Sequence, residues 1–598
     1  MSTQHIYTPS SPDWVEEAER LEPKTNRYSY KKRINSLTIL IALIAAILAA
    51  QLVRFQVFGQ KAAASPVQVS RKLLPRGVIV DAQGHPLAIQ RFRYEIVASP
   101  LIMSPKTKNK VAEELAPLLG TTEEDILIML EHPDENGNVF LSTDVPPEVG
   151  EAIKAKNFGS VGVYIYPKRY HPEGNLASHV LGFVSANNVG HYGLEEYFNN
   201  ILVAPTNEIK PMPDLHLDKD SAALGDVNDL LPESPFVPSV VRRDFILTLD
   251  RNLQYIAETE LKKGIEEYQA ESGVVIILDP KTSAILAMAG YPDYNPDEIT
   301  QVESENVFIN PAISKIYEPG SVFKLITFAA ALNEGIITPE SRYNDTDEYT
   351  YFQQTVQNWD REGRGEVTAQ QALAESLNVT TAKIAVETGA EAFYRTVSKF
   401  GFGVNTRVEL AYEASGIVHK PNSADWVPGY LATNSFGQAI SVTPLQMANA
   451  VAAIAAGGVL NRPHIVKMAI KGDTLHVKEP EHVSRAITPE AARTLTQMMI
   501  AAANHTKKAT IPGYAIAGKT GTAEIPGLGG YKENRTIATF VGFFPADDPQ
   551  FLILVKLEKP KTSAWASQTA APVFRNIAQD IINLYGIPPD EIRLKEEP

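Results

Sequence analysis

The spacing of apolar positions changes along this chain, and each change marks a different kind of element. From 34 to 53 the text INSLTILIALIAAILAAQLV carries no charge and is long enough to cross a bilayer as one helix. Beyond it, RGVIVDAQGHPLA (Arg76–Ala88) sets two apolar runs around Ala-Gln-Gly-His, the pattern of a β-hairpin. A helical stretch follows near Lys108–Glu131. From about Asp244, DFILTLD and GVVIILDP are β-branched runs of strand length, and SAILAMAG reads as the partner of the second. Helical periodicity occupies Leu253–Tyr268, Val322–Asn333, Ala369–Glu387 and Pro444–Ala456. Three more strand-like runs come next (YAIAGKTGTAEI, ATFVGFFPA and FLILVKLEKP), and AAPVFRNIAQDIINLYG predicts a closing helix.

These patterns divide the 598 residues into a tail (1–33), a transmembrane helix (34–53), a mixed region (60–240), an α/β domain (244–586) and a short end (587–598). Segment 204–235 differs in kind, with five prolines and seven acidic residues against Lys210 and Lys219, and predicts an exposed insertion. Charge orients the apolar helix. Arg20, Lys24, Arg27, Lys31, Lys32 and Arg33 precede it, while only Arg54 and Lys61 follow closely, so the tail stays inside and the bulk goes outside. A cleaved signal peptide ending near Ala62-Ala63-Ala64 is the rival, but the apolar run exceeds the roughly 7–15 residues of a signal core. Single-pass insertion in a membrane is therefore expected. The net charge of −15 argues against a nucleic-acid partner. The absence of cysteine removes disulfides, thiolate metal sites and cysteine nucleophiles. The 12 histidines form no H-E-x-x-H pattern or close cluster, so a zinc enzyme is not expected.

The candidate chemistry begins at Tyr317-Glu318-Pro319-Gly320-Ser321-Val322-Phe323-Lys324. Pro-Gly punctuates the chain, and a helix can start at Ser321 and run to about Gly335. A serine there sits among free N–H groups at the positive end of the helix dipole, a setting for an oxyanion. Lys324 lies one turn on, sharing a face with Ser321, and a buried lysine can lose its proton and act as base. Alone the pattern is weak, since S-x-x-K recurs at Ser29–Lys32. Two further segments follow in order. In Ser376-Leu377-Asn378, a hydroxyl and an amide could relay a proton and hold a substrate amide, although S-x-N recurs at Ser185–Asn187 and Ser304–Asn306. Lys519-Thr520-Gly521-Thr522 offers a cation, two hydroxyls and a bare glycine in strand-like text, suited to a peptide backbone and its terminal carboxylate. The same text satisfies the phosphate-loop pattern at Gly513–Thr520, and Val274–Asp279 imitates a Mg²⁺-holding strand. The residues between Gly513 and Gly518 are strand-like, however, and Gly521, Pro526, Gly527, Gly529 and Gly530 forbid the helix such a loop must feed.

Together SVFK, SLN and KTGT resemble the three motifs of penicillin-binding proteins and serine β-lactamases. RGVIVDAQGHPLA, GNLASHVLGFV and Gly193-Leu194-Glu195 resemble the non-catalytic pedestal of class B penicillin-binding proteins. ILDPKTSAILAMAGYPDYNP, ATNSFGQAISVTPLQMANAVAAIAAGGV, AGKTGTAE and ATFVGFFPADDPQF resemble their transpeptidase domain, in wording closest to the septal, division-type members. Gly437-Gln438-Ala439 departs from the Gly-Gln-Gly of many members, and segment 204–235 lies outside the pattern.

The resemblance implies an α/β (α+β) penicillin-binding, serine β-lactamase-like transpeptidase domain, preceded by an elongated mixed α/β pedestal and a membrane helix. It implies a D,D-transpeptidase in the bacterial inner membrane with its catalytic domain outside the cytoplasm. Ser321 attacks the D-Ala-D-Ala bond of a peptidoglycan stem pentapeptide, and Lys324 is the base. Ser376 and Asn378 assist, Lys519, Thr520, Gly521 and Thr522 hold the donor, and the Ser321 and Thr522 N–H groups form the oxyanion hole. The resemblance implies no metal or organic cofactor. Penicillin and other β-lactams become ligands, and a multi-pass glycan polymerase and division proteins become partners. A D,D-carboxypeptidase, a β-lactam sensor or a β-lactamase on the same fold are the alternatives.

Overall fold

The hairpin expected at Arg76–Ala88 forms in the computed structural model, which describes residues 76–203, 243–421, 423–472, 474–527 and 530–595. The apolar span 34–53 and the acidic insertion 204–235 lie outside the described residues. Strand β1 (Ile79–Val80) turns through Asp81, whose carboxylate accepts the N–H groups of Gln83 (2.9 Å) and His85 (2.7 Å), into β2 (Pro86–Ala98). β2 pairs antiparallel with β3 (Val139–Val145) and with β4 (Val161–Tyr170). Its alternation buries Tyr94, Ile96 and Ala98 on one face. Helices α1 (Pro105–Leu119), α2 (Glu123–Glu131) and α3 (Pro147–Ala155) cover that face with Val111, Leu115, Ile126, Leu130 and Ile153. The single stretch expected over 108–131 is two helices. Gly120, at φ 66°, ends the first, and a capping box between Thr122 and Asp125 starts the second.

This region is held by a buried charge cluster. Arg76 and Arg169 converge on Glu195, with Arg76 Nε 2.9 Å from Oε2 and Arg169 Nε 2.7 Å from Oε1. All three side chains are essentially without solvent. Burial alone would raise the Glu195 carboxyl, but the two guanidiniums outweigh it and hold it below its ordinary range.

The chain continues as β5 (Arg243–Leu247), α4 (Arg251–Tyr268), β6 (Ser272–Leu278) and β7 (Ile285–Tyr291). Helices α5 (Lys324–Asn333), α6 (Ala369–Ala374), α7 (Asn378–Thr388), α8 (Pro444–Ala455) and α9 (Pro489–Thr506) follow. Strands β8 (Val466–Lys471) and β9 (Thr474–Val477) precede α9, and β10 (Ala517–Gly527), β11 (Gly530–Phe544) and β12 (Phe551–Glu558) lead into the closing helix α10 (Ala570–Tyr585).

Two sheets organise these strands. A 7-stranded sheet runs β9–β8–β5–β1–β2–β3, with β4 beside β2. DFILTLD, read as the start of the second domain, is thus paired parallel with β1 and antiparallel with β8, so one sheet joins both regions. A 5-stranded antiparallel sheet runs β10–β11–β12–β6–β7, which leaves β10 at an edge. Val275, Ile277, Ile553 and Val555 pack toward α4 and α10, while Val274, Ile276, Leu278, Leu552 and Leu554 pack toward α5 and α8. With both faces covered, GVVIIL shows no polar alternation because it has no wet side.

Candidate active site

The nucleophile turn is fixed from both sides before Ser321 is reached. Tyr317 exchanges two backbone hydrogen bonds of 2.9 Å with Val442, and Gly320 N–H donates to Gly437 O at 3.1 Å. Ser321 does not open the α-helix as expected. It lies in a single 3₁₀ turn (Gly320–Phe323), because the Lys324 N–H bonds back to Ser321 O and Val322 O, and α5 begins only at Lys324. Ser321 is half-buried, and its hydroxyl has no hydrogen-bond partner among the described residues. Ala439, where the motif reading noted a departure from glycine, takes φ 56° and donates its N–H to Glu318 Oε1 at 3.0 Å.

The helix expected over Ala369–Glu387 is interrupted, and the interruption is the second motif. α6 ends at Ala374, α7 starts at Asn378, and between them Ser376 adopts φ 61°. A left-handed serine stores roughly 1–3 kcal/mol, so its surroundings must hold it. They do so through Lys324, whose amine donates to Ser376 O, and through Asn358. The Asn358 carbonyl oxygen accepts the N–H groups of Asn378 (2.8 Å) and Val379 (3.2 Å), and its amide donates to buried Asp345 at 2.6 Å. Asp345 also accepts the Thr380 hydroxyl at 2.6 Å. The Asn378 side chain donates to Gln357 O at 2.9 Å. Asp345 and Asn358 have no motif of their own, and no local pattern in the sequence marks them.

The third motif lies on the edge strand β10. Gly513–Thr520 therefore builds no phosphate loop, since Ala517 to Thr520 are strand residues paired with β11. Lys519 is 2% exposed, and its Nζ stands 3.0 Å from Ser376 Oγ, 3.1 Å from Thr520 O and 3.4 Å from Thr520 Oγ1. A Cβ on Gly521 would lie 2.9 Å from both Pro319 O and Val322 Cγ1, so only glycine lets this strand press against the nucleophile turn. Thr522 Oγ1 accepts the Ala566 N–H at 3.1 Å, which leaves its own proton to donate elsewhere.

Ser376 Oγ thus stands between two buried amines, 3.2 Å from Lys324 Nζ and 3.0 Å from Lys519 Nζ. Burial, and then the neighbouring Lys519 charge, push the Lys324 amine well below its ordinary value, with Asp345 pulling the other way. Burial brings Lys519 down to about 7. Two amines with lowered affinity for their protons thus flank one hydroxyl. Lys324 is directed at Ser376 and makes no hydrogen bond to Ser321, a spacing common where catalytic contacts tighten only around substrate. Ser321, Lys324, Ser376, Asn378, Lys519, Thr520, Gly521 and Thr522 belong to this one neighbourhood or to the strand and turn that frame it, while Ser29 lies outside the described residues.

Comparison with known proteins finds two family models on the chain. A penicillin-binding protein transpeptidase domain matches residues 273–579, and a penicillin-binding protein dimerisation domain matches residues 72–208. The stage V sporulation protein D of Bacillus subtilis is 29% identical over 534 residues, covering 87% of this chain and 80% of that protein. The peptidoglycan D,D-transpeptidase FtsI of Escherichia coli is 28% identical over 534 residues, covering 88% and 86%. Penicillin binding protein 3 of Mycobacterium tuberculosis, solved in complex with aztreonam, has the same fold. It shows a TM-score of 0.66 at 24% identity, covering 87% of this chain and 98% of that one.

Proposed function

The chain belongs to the penicillin-binding protein transpeptidase family, in the class whose transpeptidase domain follows a dimerisation domain, and from that premise we propose how its residues divide the work of a peptidoglycan D,D-transpeptidase. The observation that carries the division is the shared Ser376 hydroxyl between Lys324 and Lys519. Neutral Lys324 takes the proton of Ser321 as Oγ attacks the carbonyl of the penultimate D-Ala. The C–N bond then breaks, and the leaving D-Ala nitrogen receives a proton through Ser376 Oγ, which Lys324 restores. The product is an acyl ester on Ser321. An amine of a second stem attacks that ester, gives up a proton by the same path in reverse, and releases Ser321 in a new cross-link.

Lys519 and the Thr522 hydroxyl hold the donor's terminal carboxylate, with Thr520 alongside. Asn378 holds a donor amide, and the N–H groups of Ser321 and Thr522 receive the developing oxyanion. The free edge of β10 supports this reading, since an extended donor peptide can pair with it as an added strand. Penicillin and other β-lactams acylate the same serine, as fits the aztreonam complex of the Mycobacterium tuberculosis protein. The apolar, positively flanked segment 34–53 supports a membrane anchor with the catalytic domain outside, and the likeness to FtsI supports a septal role alongside a glycan polymerase.

The test is covalent labelling of the full chain with a fluorescent penicillin. Wild type is expected to take one label, and Ser321→Ala to lose it by at least about 10³-fold in rate. Equal labelling of both sinks the assignment of the nucleophile. Offered glycan strands with pentapeptide stems, the enzyme is expected to yield dimeric stems by mass spectrometry. Shortened monomers alone would make it a carboxypeptidase.

A further inference from the structure

Tyr412 takes no part in these steps, yet it stands in a conformation that its side chain does not favour. Its φ is 65°, a left-handed value that is an outlier for a bulky residue and that glycine would adopt freely. The residue is 58% exposed, so burial in a core does not hold it there. Its hydroxyl donates to Glu196 Oε1 at 2.7 Å, and its ring lies 5.4 Å from that of Tyr192. Both partners belong to the dimerisation-domain match and are tied to each other, since Glu196 Oε2 accepts the Tyr192 N–H at 2.6 Å. Glu196 follows Glu195, the centre of the buried arginine cluster, so Tyr412 leans on a fixed part of that region. The backbone that Tyr412 opens is bonded to both supports of the nucleophile turn. Tyr412 O accepts the Ser314 hydroxyl at 2.6 Å and the Ala414 N–H donates to Ile313 O at 2.9 Å, which ties down the short helix Pro311–Ser314 just before Tyr317. Gly416 comes so near Ser441 O that a Cβ would lie 2.6 Å from it, and Ile417 exchanges two backbone hydrogen bonds with Ser441, of 2.7 and 2.9 Å. The next residue, Val442, is the one paired with Tyr317.

We propose that Tyr412 is a positioning residue for acylation, a strut that braces the Ser321 turn against Tyr192 and Glu196. This rests on the acyl-transfer reading above. The strut acts through Ile313–Ser314 and Ser441–Val442, whose placement decides where Ser321 Oγ stands relative to Lys324 and the edge of β10. A displacement of a fraction of an ångström there slows the bond-forming step while the groove that binds the ligand keeps its shape.

The experiment resolves acylation of the full chain by a fluorescent penicillin into a limiting rate and a dissociation constant, and measures thermal unfolding beside them. Tyr412→Gly removes the strut and relieves the left-handed backbone. Its limiting rate is expected to fall by about 3- to 30-fold with the dissociation constant held within about twofold. Its unfolding temperature should stay at or above that of wild type, a split that a merely structural role would not produce. Tyr412→Phe keeps the ring and loses the bond to Glu196, and is expected to slow the limiting rate by about 2- to 5-fold. In a Glu196→Ala background the same change should have no further effect, because that bond is already gone. Where the glycine variant does not fold, this cycle decides the question alone. A glycine variant within twofold of the wild-type rate, a change confined to the dissociation constant, a rate loss accompanied by a lower unfolding temperature, or additive effects in the cycle overturns the strut. Failure of wild type to be acylated at Ser321 would instead overturn the underlying function.

Discussion

At the scale of single residues, the proposed mechanism depends on keeping one of two lysines neutral and the other charged. In that mechanism Lys519, at about 7, supplies the charge that the donor carboxylate needs, and Lys324 is unprotonated to accept the Ser321 proton. The signs follow. Acylation rises as pH climbs through the depressed Lys324 value, then falls as Lys519 loses its proton above about 7. Lys519→Arg is expected to lower the maximum rate by about 10- to 100-fold, because a planar fork replaces a point charge between Ser376 and Thr520. It should also abolish the alkaline fall, since a guanidinium stays charged. Penicillin acylation rates between pH 5 and 9 check this, and an alkaline fall that persists in the arginine variant would remove Lys519 from carboxylate binding. The motif lysines and serines were visible in the sequence because the chemistry places them at fixed short spacings. Asp345 and Asn358 were not, because they act through contacts that fold 20 to 35 residues back on the SLN segment.

At the scale of elements, the active site is a meeting of a turn, a break in a helix and a strand edge. Gly521 sets the closest of these meetings. Gly521→Ala would put a methyl group 2.9 Å from Pro319 O, on backbone that cannot rotate away. The strand and the nucleophile turn would then separate by a fraction of an ångström, with an expected loss of about 10²-fold in acylation rate. Thermal unfolding of the same variant separates misplacement from misfolding. A rate within twofold of wild type would show that the two elements tolerate a gap. Most elements were legible from periodicity, among them the β6–β7 pair, the strands β10 to β12 and the closing helix. The helical periodicity over Ala369–Glu387 hides a break, although Ser376-Leu377-Asn378 does stand at the head of a helix. The apolar spacing carries through the break, and the turn is held by contacts that spacing does not report, among them those of Ser376 with Lys324 and of Asn378 with Asn358. Periodicity reports what is buried, not where the backbone is pulled out of register to present a hydroxyl.

At the scale of the whole molecule, the two regions matched by separate family models share a sheet, in which β5, lying between the matches, pairs with β1 of one and β8 of the other, and charged groups reinforce the joint. His171 pairs with Asp297 at 2.7 Å, and Arg251 with Glu173 at 2.9 Å. The Arg76–Glu195–Arg169 cluster lies at the root of this joint. Glu195→Gln leaves two buried guanidiniums short of charge and is expected to cost about 3–5 kcal/mol, read by chemical denaturation of the full chain at pH 7. Because the folded Glu195 carboxyl sits below its ordinary 4.5, its contribution is complete above that pH. It is lost as pH falls through the folded value. The glutamine variant should lack this part of the acid sensitivity, and equal stability at pH 7 would show that the cluster is not under tension. The edge position of β10 has a different consequence on the proposed donor pairing. An edge that accepts a donor strand cannot tell a stem peptide from any other extended backbone of suitable twist. A short strand-forming peptide ending in a carboxylate would thus occupy the groove as a reversible decoy, silencing Ser321 without reacting with it. Resistance to such a molecule could not come from a faster hydrolysis of an adduct, because no adduct exists.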